Sequence, residues 1–63
     1  MTQKELLYLE DAIGHEKTIV SVLQETINML EDEDLKDYIA QDLETHQSIQ
    51  DDLTTFLEDK ANE

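Results

Sequence analysis

The chain has 63 residues, its 17 acidic side chains outnumber 4 lysines to give a formal charge of −13, and it contains no Cys, Pro or Trp and a single Gly. That length admits one small domain, residues 1–63, and buries only about 60% of its unfolded surface, so a self-sufficient monomer is marginal. The composition excludes a disulfide scaffold, zinc knuckle or thiol chemistry, offers no electrostatic attraction to nucleic acid or an anionic membrane, and leaves no apolar run near the about 18 residues of a membrane span.

High charge is also a signature of disorder. Against it stand 38% hydrophobic residues, the absence of Pro, and a helical period in the apolar positions. The opening Thr2-Gln3-Lys4-Glu5 fits a capping box, a cap hydroxyl with a Glu three residues on. Glu5, Glu10 and Asp11 come too early for the apolar stretch of a signal peptide, so the expected location is the cytoplasm. An apolar series then runs Leu6, Leu9, Ile13, Val20, Leu23, Ile27, Leu30, with Glu16 in the one remaining place. The steps of three and four describe the seam of a packed helix. A second series lies beside it at Tyr8, Ala12, His15, Ile19, Val22 and Met29. One partner helix cannot cover two seams, so this helix is expected to be packed from more than one side. Gly14 falls mid-helix, either a tolerated surface residue or a point of close helix approach.

Glu31-Asp32-Glu33-Asp34 is the only break in the pattern. Four acids oppose the negative end of a preceding helix and suit the positive start of a following one. Asp32 is the expected cap, with Glu33 and Asp34 in the first turn. The second helix repeats the stripe at Leu35, Ile39, Asp42, His46, Ile49, Leu53 and Phe56, widened by Leu43 and Leu57. Its other face is acidic: Asp37, Glu44, Asp51, Asp52, Glu58 and Asp59. The tail at residues 60–63 is expected to fray.

The predicted fold is all-α, an antiparallel helical hairpin over about 3–31 and 33–60 that dimerises into a ferritin-like four-helix bundle. Pairing two hairpins covers the second seam, and a two-fold homodimer is the common solution. The expected dimer interface is Tyr8, Ala12, His15, Ile19, Val22 and Met29. The rival is one continuous helix in a coiled coil, since the acidic break holds no Gly or Pro.

Glu16, Asp42 and His46 are ionisable residues at seam positions. For a turn near residues 32–33, facing positions sum to about 65 or 66, which offsets Glu16 and His46 by about one turn, within reach of their side chains. Asp42 and His46 lie four apart on one face. Three readings stand. A Glu16–His46 hydrogen bond would satisfy both groups and fix register. The two side chains would alternatively reach solvent at the bundle edge. Or Glu16, Asp42 and His46 would hold Fe, Mn or Zn between two chains, although the Glu-x-x-His signal of di-metal bundles is absent, Glu44 being followed three on by Gln47. Neither Ser21 nor Ser48 sits on a strained turn or near a Gly-rich oxyanion loop, so no enzyme is expected.

The stretches KELLYLEDAIGHEKTIVSVL, EDEDLKDYI and DLETHQSIQDDL resemble the small spore coat protein F-like proteins of spore-forming Firmicutes. The matching positions are Leu9-Glu10-Asp11-Ala12, Glu16, an acid before Leu35-Lys36, and His46 with Ile49, across about residues 4–57. The resemblance implies a ferritin-like hairpin, a structural or associated role in the spore coat, and no catalysis. The chain departs from that family in having Glu33-Asp34 where a Pro-containing turn is common, and in being one hairpin long. Three functional expectations follow: a non-enzymatic structural or interaction protein, dimeric and spore coat associated; a ferritin-like metal-binding protein with an intersubunit site; and an acidic adaptor for a basic protein partner.

Overall fold

A computed structural model describes residues 1–61. It has two helices, α1 (Gln3–Met29) and α2 (Glu33–Ala61), packed against each other as a hairpin about 47 Å long. The chain therefore turns rather than continuing as one helix.

Local chemistry sets the ends. The Thr2 hydroxyl accepts from the Glu5 backbone N–H at 3.0 Å, and the Glu5 carboxylate accepts from the Thr2 N–H at 2.8 Å. This is the expected capping box, which satisfies two backbone donors that the first turn leaves open. Leu30 then leaves the helix in an extended conformation. Asp32 caps α2, its carboxylate accepting from the Leu35 N–H at 2.9 Å while its carbonyl accepts from Lys36 N–H at 3.0 Å. Glu33 and Asp34 occupy the positive first turn of α2 as expected. The Lys36–Glu33 pair at 3.7 Å is exposed and adds little.

The first helix stops at Met29, two residues short of the expected 31. The turn is thus residues 30–32, and its centre moves from 32–33 to 31. Facing positions sum to about 62 rather than 65 or 66, which sets Glu16 level with His46 and removes the expected offset. The seam of α1 is the expected one: Leu6, Leu9, Ile13, Glu16, Val20, Leu23, Ile27 and Leu30 are each at least half-buried.

In α2 the seam is rotated from its expected place. The half-buried row is Lys36, Ile39, Leu43, His46, Gln50, Leu53, Leu57 and Lys60. Leu35, Ile49 and Phe56, expected in the seam, stay exposed. The apolar stripe of α2 spans three adjacent rows, and one partner helix covers two. The row left out contains Asp42, whose carboxylate would be costly to seal beneath α1. The rows taken instead bring in Leu43 and Leu57 and lay the stems of Lys36 and Lys60 along the seam, with the Lys36 ammonium near Glu33 and the Lys60 ammonium 5.6 Å from the centroid of the Phe56 ring.

Ile13 alone is buried among the described residues. A hairpin of two helices has a seam but no enclosed centre. A Cβ added at Gly14 would meet nothing within 4 Å, so in this chain Gly14 is a surface residue and marks no close helix approach.

Candidate functional site

The two helices run antiparallel, which fixes how their flanks relate. Along α1, positions 8, 12, 15, 19, 22, 26 and 29 lie to one side of the seam. Along α2, positions 35, 38, 42, 45, 49, 52 and 56 lie to one side in the same rotational sense. Reversing one helix brings those two flanks to the same side of the hairpin. The hollow lined jointly by Glu5, Leu9 and Phe56 sits on that side. Every exposed large apolar side chain other than Leu7 and the terminal Met1 falls there: Tyr8, Val22, Met29, Leu35, Tyr38, Ile49 and Phe56. Of the expected interface residues, Ala12 and Ile19 are half-buried at its inner edge, while Tyr8, His15, Val22 and Met29 are exposed.

Two polar residues on this side are already satisfied. Thr26 donates its hydroxyl to the Val22 carbonyl at 2.7 Å, and Thr45 donates to the Gln41 carbonyl at 3.1 Å. A hydroxyl bonded back to the carbonyl four residues earlier asks nothing further of water, so covering it costs little. Threonine at these positions reads as polar in the sequence. The spacing to the preceding carbonyl was the available signal that it behaves as part of an apolar surface.

Glu16, His46 and Asp42 meet at the middle of the same side. His46 Nδ1 lies 2.6 Å from Glu16 Oε2. An ionised carboxylate only accepts, so Nδ1 is assigned the proton and donates. His46 Nε2 lies 3.5 Å from Asp42 Oδ1, an electrostatic contact longer than a good hydrogen bond. The Glu16 and His46 side chains are 16% and 24% exposed, and Asp42 is 45% exposed. Glu16 and His46 are therefore held in the seam, whereas Asp42, expected there, sits at the edge.

This geometry decides between pairing and solvation: Glu16 and His46 satisfy each other across the hairpin. Two ligands on one tetrahedral zinc, at about 2.0–2.2 Å each, sit more than about 3 Å apart. The 2.6 Å contact is instead that of a charge-assisted hydrogen bond. Among the described residues, no group of three or more His, Cys, Asp or Glu side chains is arranged to hold a metal. No helix among them is long and apolar enough to cross a membrane.

The acidic face of α2 lies on the opposite side of the hairpin, where Asp37, Glu44, Asp51 and Glu58 are exposed. Comparison with protein-family models, characterised proteins and solved structures found no match.

Proposed function

We propose that this chain is a non-enzymatic structural or interaction protein that works by self-association. Two hairpins pair through their apolar sides into a four-helix bundle. The observation that carries this reading is the contrast between one buried residue, Ile13, among the described residues and a single side that exposes Tyr8, Val22, Met29, Leu35, Tyr38, Ile49 and Phe56.

Area supports the same reading. The chain exposes 4939 Å², against about 4,200 Å² expected for a folded monomer of its mass. The surplus of about 700–800 Å² matches the about 800 Å² that each partner buries in a standard interface. Thr26 and Thr45, bonded within their own helix, add little to the cost of covering this side, whereas Asp42 and Asp52 on its α2 flank oppose it. The resemblance to spore coat protein F-like proteins supports the coat as the place where such a bundle would serve.

Native mass spectrometry on untagged protein purified without chelators tests the reading. A metal-free dimer is the expected result. A dimer carrying iron, manganese or zinc would replace it with the metal-binding reading and put Glu16, Asp42 and His46 at its centre. A folded monomer would overturn it. The double substitution Ile19→Lys, Val22→Lys is expected to give monomeric, mostly unfolded chain by circular dichroism. A folded dimer from that variant would place the interface elsewhere.

A further inference from the structure

The apolar side has a symmetry of its own. Its α1 flank runs from Tyr8 to Met29, with its midpoint between residues 18 and 19. Its α2 flank runs from Leu35 to Phe56, with its midpoint between residues 45 and 46. The Glu16–His46 contact sets the register of the hairpin, and in that register residues 18–19 are level with residues 43–44. The two midpoints thus lie within about two residues of each other, or about 3 Å along the axis. A single two-fold axis, perpendicular to the helices at that level, maps both flanks onto themselves.

The ends of the hairpin differ in charge. The turn carries Glu31, Asp32, Glu33 and Asp34, all exposed, with only Lys36 near them. Among the described residues, the other end carries Lys4 and Lys60 together with Glu5, Glu58 and Asp59. If two hairpins paired with their turns at the same end, eight carboxylates would crowd together. If they paired head to tail, each acidic turn would lie beside the mixed-charge end of its partner. The turns would then be separated by several Debye lengths at physiological salt.

We infer that the occupant of the apolar side is a second copy of this chain in the head-to-tail orientation, α1 over the partner's α1 and α2 over the partner's α2. This rests on the self-association proposed above and adds its geometry. Tyr8 then lies opposite the partner's Met29, and Leu35 opposite the partner's Phe56. His15 faces the partner's Val22. The two Glu16–His46 pairs come to the centre of the bundle, beside the axis, where the second copy closes the opening that leaves them partly exposed.

The chain has no Cys, so one introduced thiol reports cleanly. Gln3→Cys lies on the polar side, away from both the acidic turn and the apolar side, and a spin label there leaves each intact. Pulsed dipolar spectroscopy on the dimer is expected to give a label separation of about 45–50 Å, from 1.5 Å of rise per residue on either side of the axis. A separation under about 30 Å would put the turns together and overturn the orientation while leaving the dimer standing. A monomeric labelled protein in native mass spectrometry would overturn the self-association itself. A second variant, Tyr8→Cys with Met29→Cys, is expected to form an inter-chain disulfide dimer under mild oxidation. Failure to cross-link in a chain still dimeric by native mass spectrometry would also overturn the head-to-tail pairing.

Discussion

The two long sides of this hairpin are built from the same two helices and differ in almost everything else. One side presents Tyr8, Val22, Met29, Leu35, Tyr38, Ile49 and Phe56. The other presents Gln3, Glu10, Lys17, Ser21 and Gln24 from α1 and Asp37, Glu44, Asp51 and Glu58 from α2, with Leu7 as its one large exposed apolar residue. A stable monomer would have no use for that asymmetry, because neither side packs on anything within the chain. Scattered exposed apolar residues are ordinary, whereas a contiguous row marks an interaction surface. The charge is divided by helix as well. Residues 1–30 hold five acids and two lysines, while residues 31–63 hold twelve acids and two lysines. Repulsion on the acidic side opposes non-specific association and leaves the apolar side as the permitted contact.

The most direct way to break this comparison is to place one charge on each side in turn. Val22 and Leu7 are nearly equally exposed, at 53% and 55%, and a monomer would treat lysine at either position alike. On the present account Val22→Lys buries an ammonium in the dimer and weakens association by about ten- to a hundredfold, or about 1.4–2.8 kcal/mol. Leu7→Lys is expected to leave the dimer within about 0.5 kcal/mol of the parent. Sedimentation equilibrium on the two variants provides the check. Equal effects would dissolve the distinction between the sides.

A smaller effect sharpens the comparison from the polar side. Gly14 faces away from α2 and from the apolar side, with open space around the position of a Cβ. Gly14→Ala therefore changes helix propensity and unfolded-chain entropy and little else. It is expected to stabilise the protein by about 0.5–1 kcal/mol with no change in oligomeric state. Urea unfolding at fixed protein concentration measures it. A destabilised Gly14→Ala chain would mean that something packs against the polar side after all.

How much of this was legible in the sequence depends on what each residue's position requires. The capping box at Thr2–Glu5 and the Asp32 cap are local arrangements of a few residues, and both form as their spacing implies. The α1 seam was also legible, because every position of it except Glu16 is apolar, whereas the flank beside it is broken by His15 and Thr26. The α2 seam was not. Three adjacent rows of α2 carry apolar residues, and the choice among them depends on where the other helix lies. That in turn depends on the turn, whose centre at residue 31 follows from Leu30 leaving the helix. A shift of one or two residues there changes the facing sum from 65–66 to 62, and the cost of sealing Asp42 beneath α1 leaves its row, with Leu35, Ile49 and Phe56, out of the seam. The Glu16–His46 pair was expected from the cost of burying either group alone, and it forms, with the two level rather than offset. The position of Asp42 at the edge was not legible, since its spacing from His46 permits either place.

The smallest effect concerns the far end from the turn. Glu5 accepts the Thr2 backbone N–H, and this bond, with the Thr2 hydroxyl and the nearby amino terminus, holds its carboxyl below the ordinary glutamate range. A carboxylate whose acidity is raised by folding stabilises the fold above its unfolded pKa, and that contribution disappears as pH falls through the folded value. The window therefore opens below the ordinary glutamate value of 4.5 and lies on the acid limb. Protonating the other carboxylates over the same range also relieves the repulsion set by a charge of −13, so the acid limb of the parent protein alone is ambiguous. The informative quantity is the difference between the parent and Glu5→Gln, which keeps an acceptor but cannot titrate. Near pH 7 the parent is expected to melt higher. As the pH falls toward 3 the two melting curves should converge, because protonated glutamate and glutamine cap about equally well. A gap that stays constant with pH would mean that the box acts through hydrogen-bond geometry alone. The charge of Glu5 would then be incidental to how α1 begins.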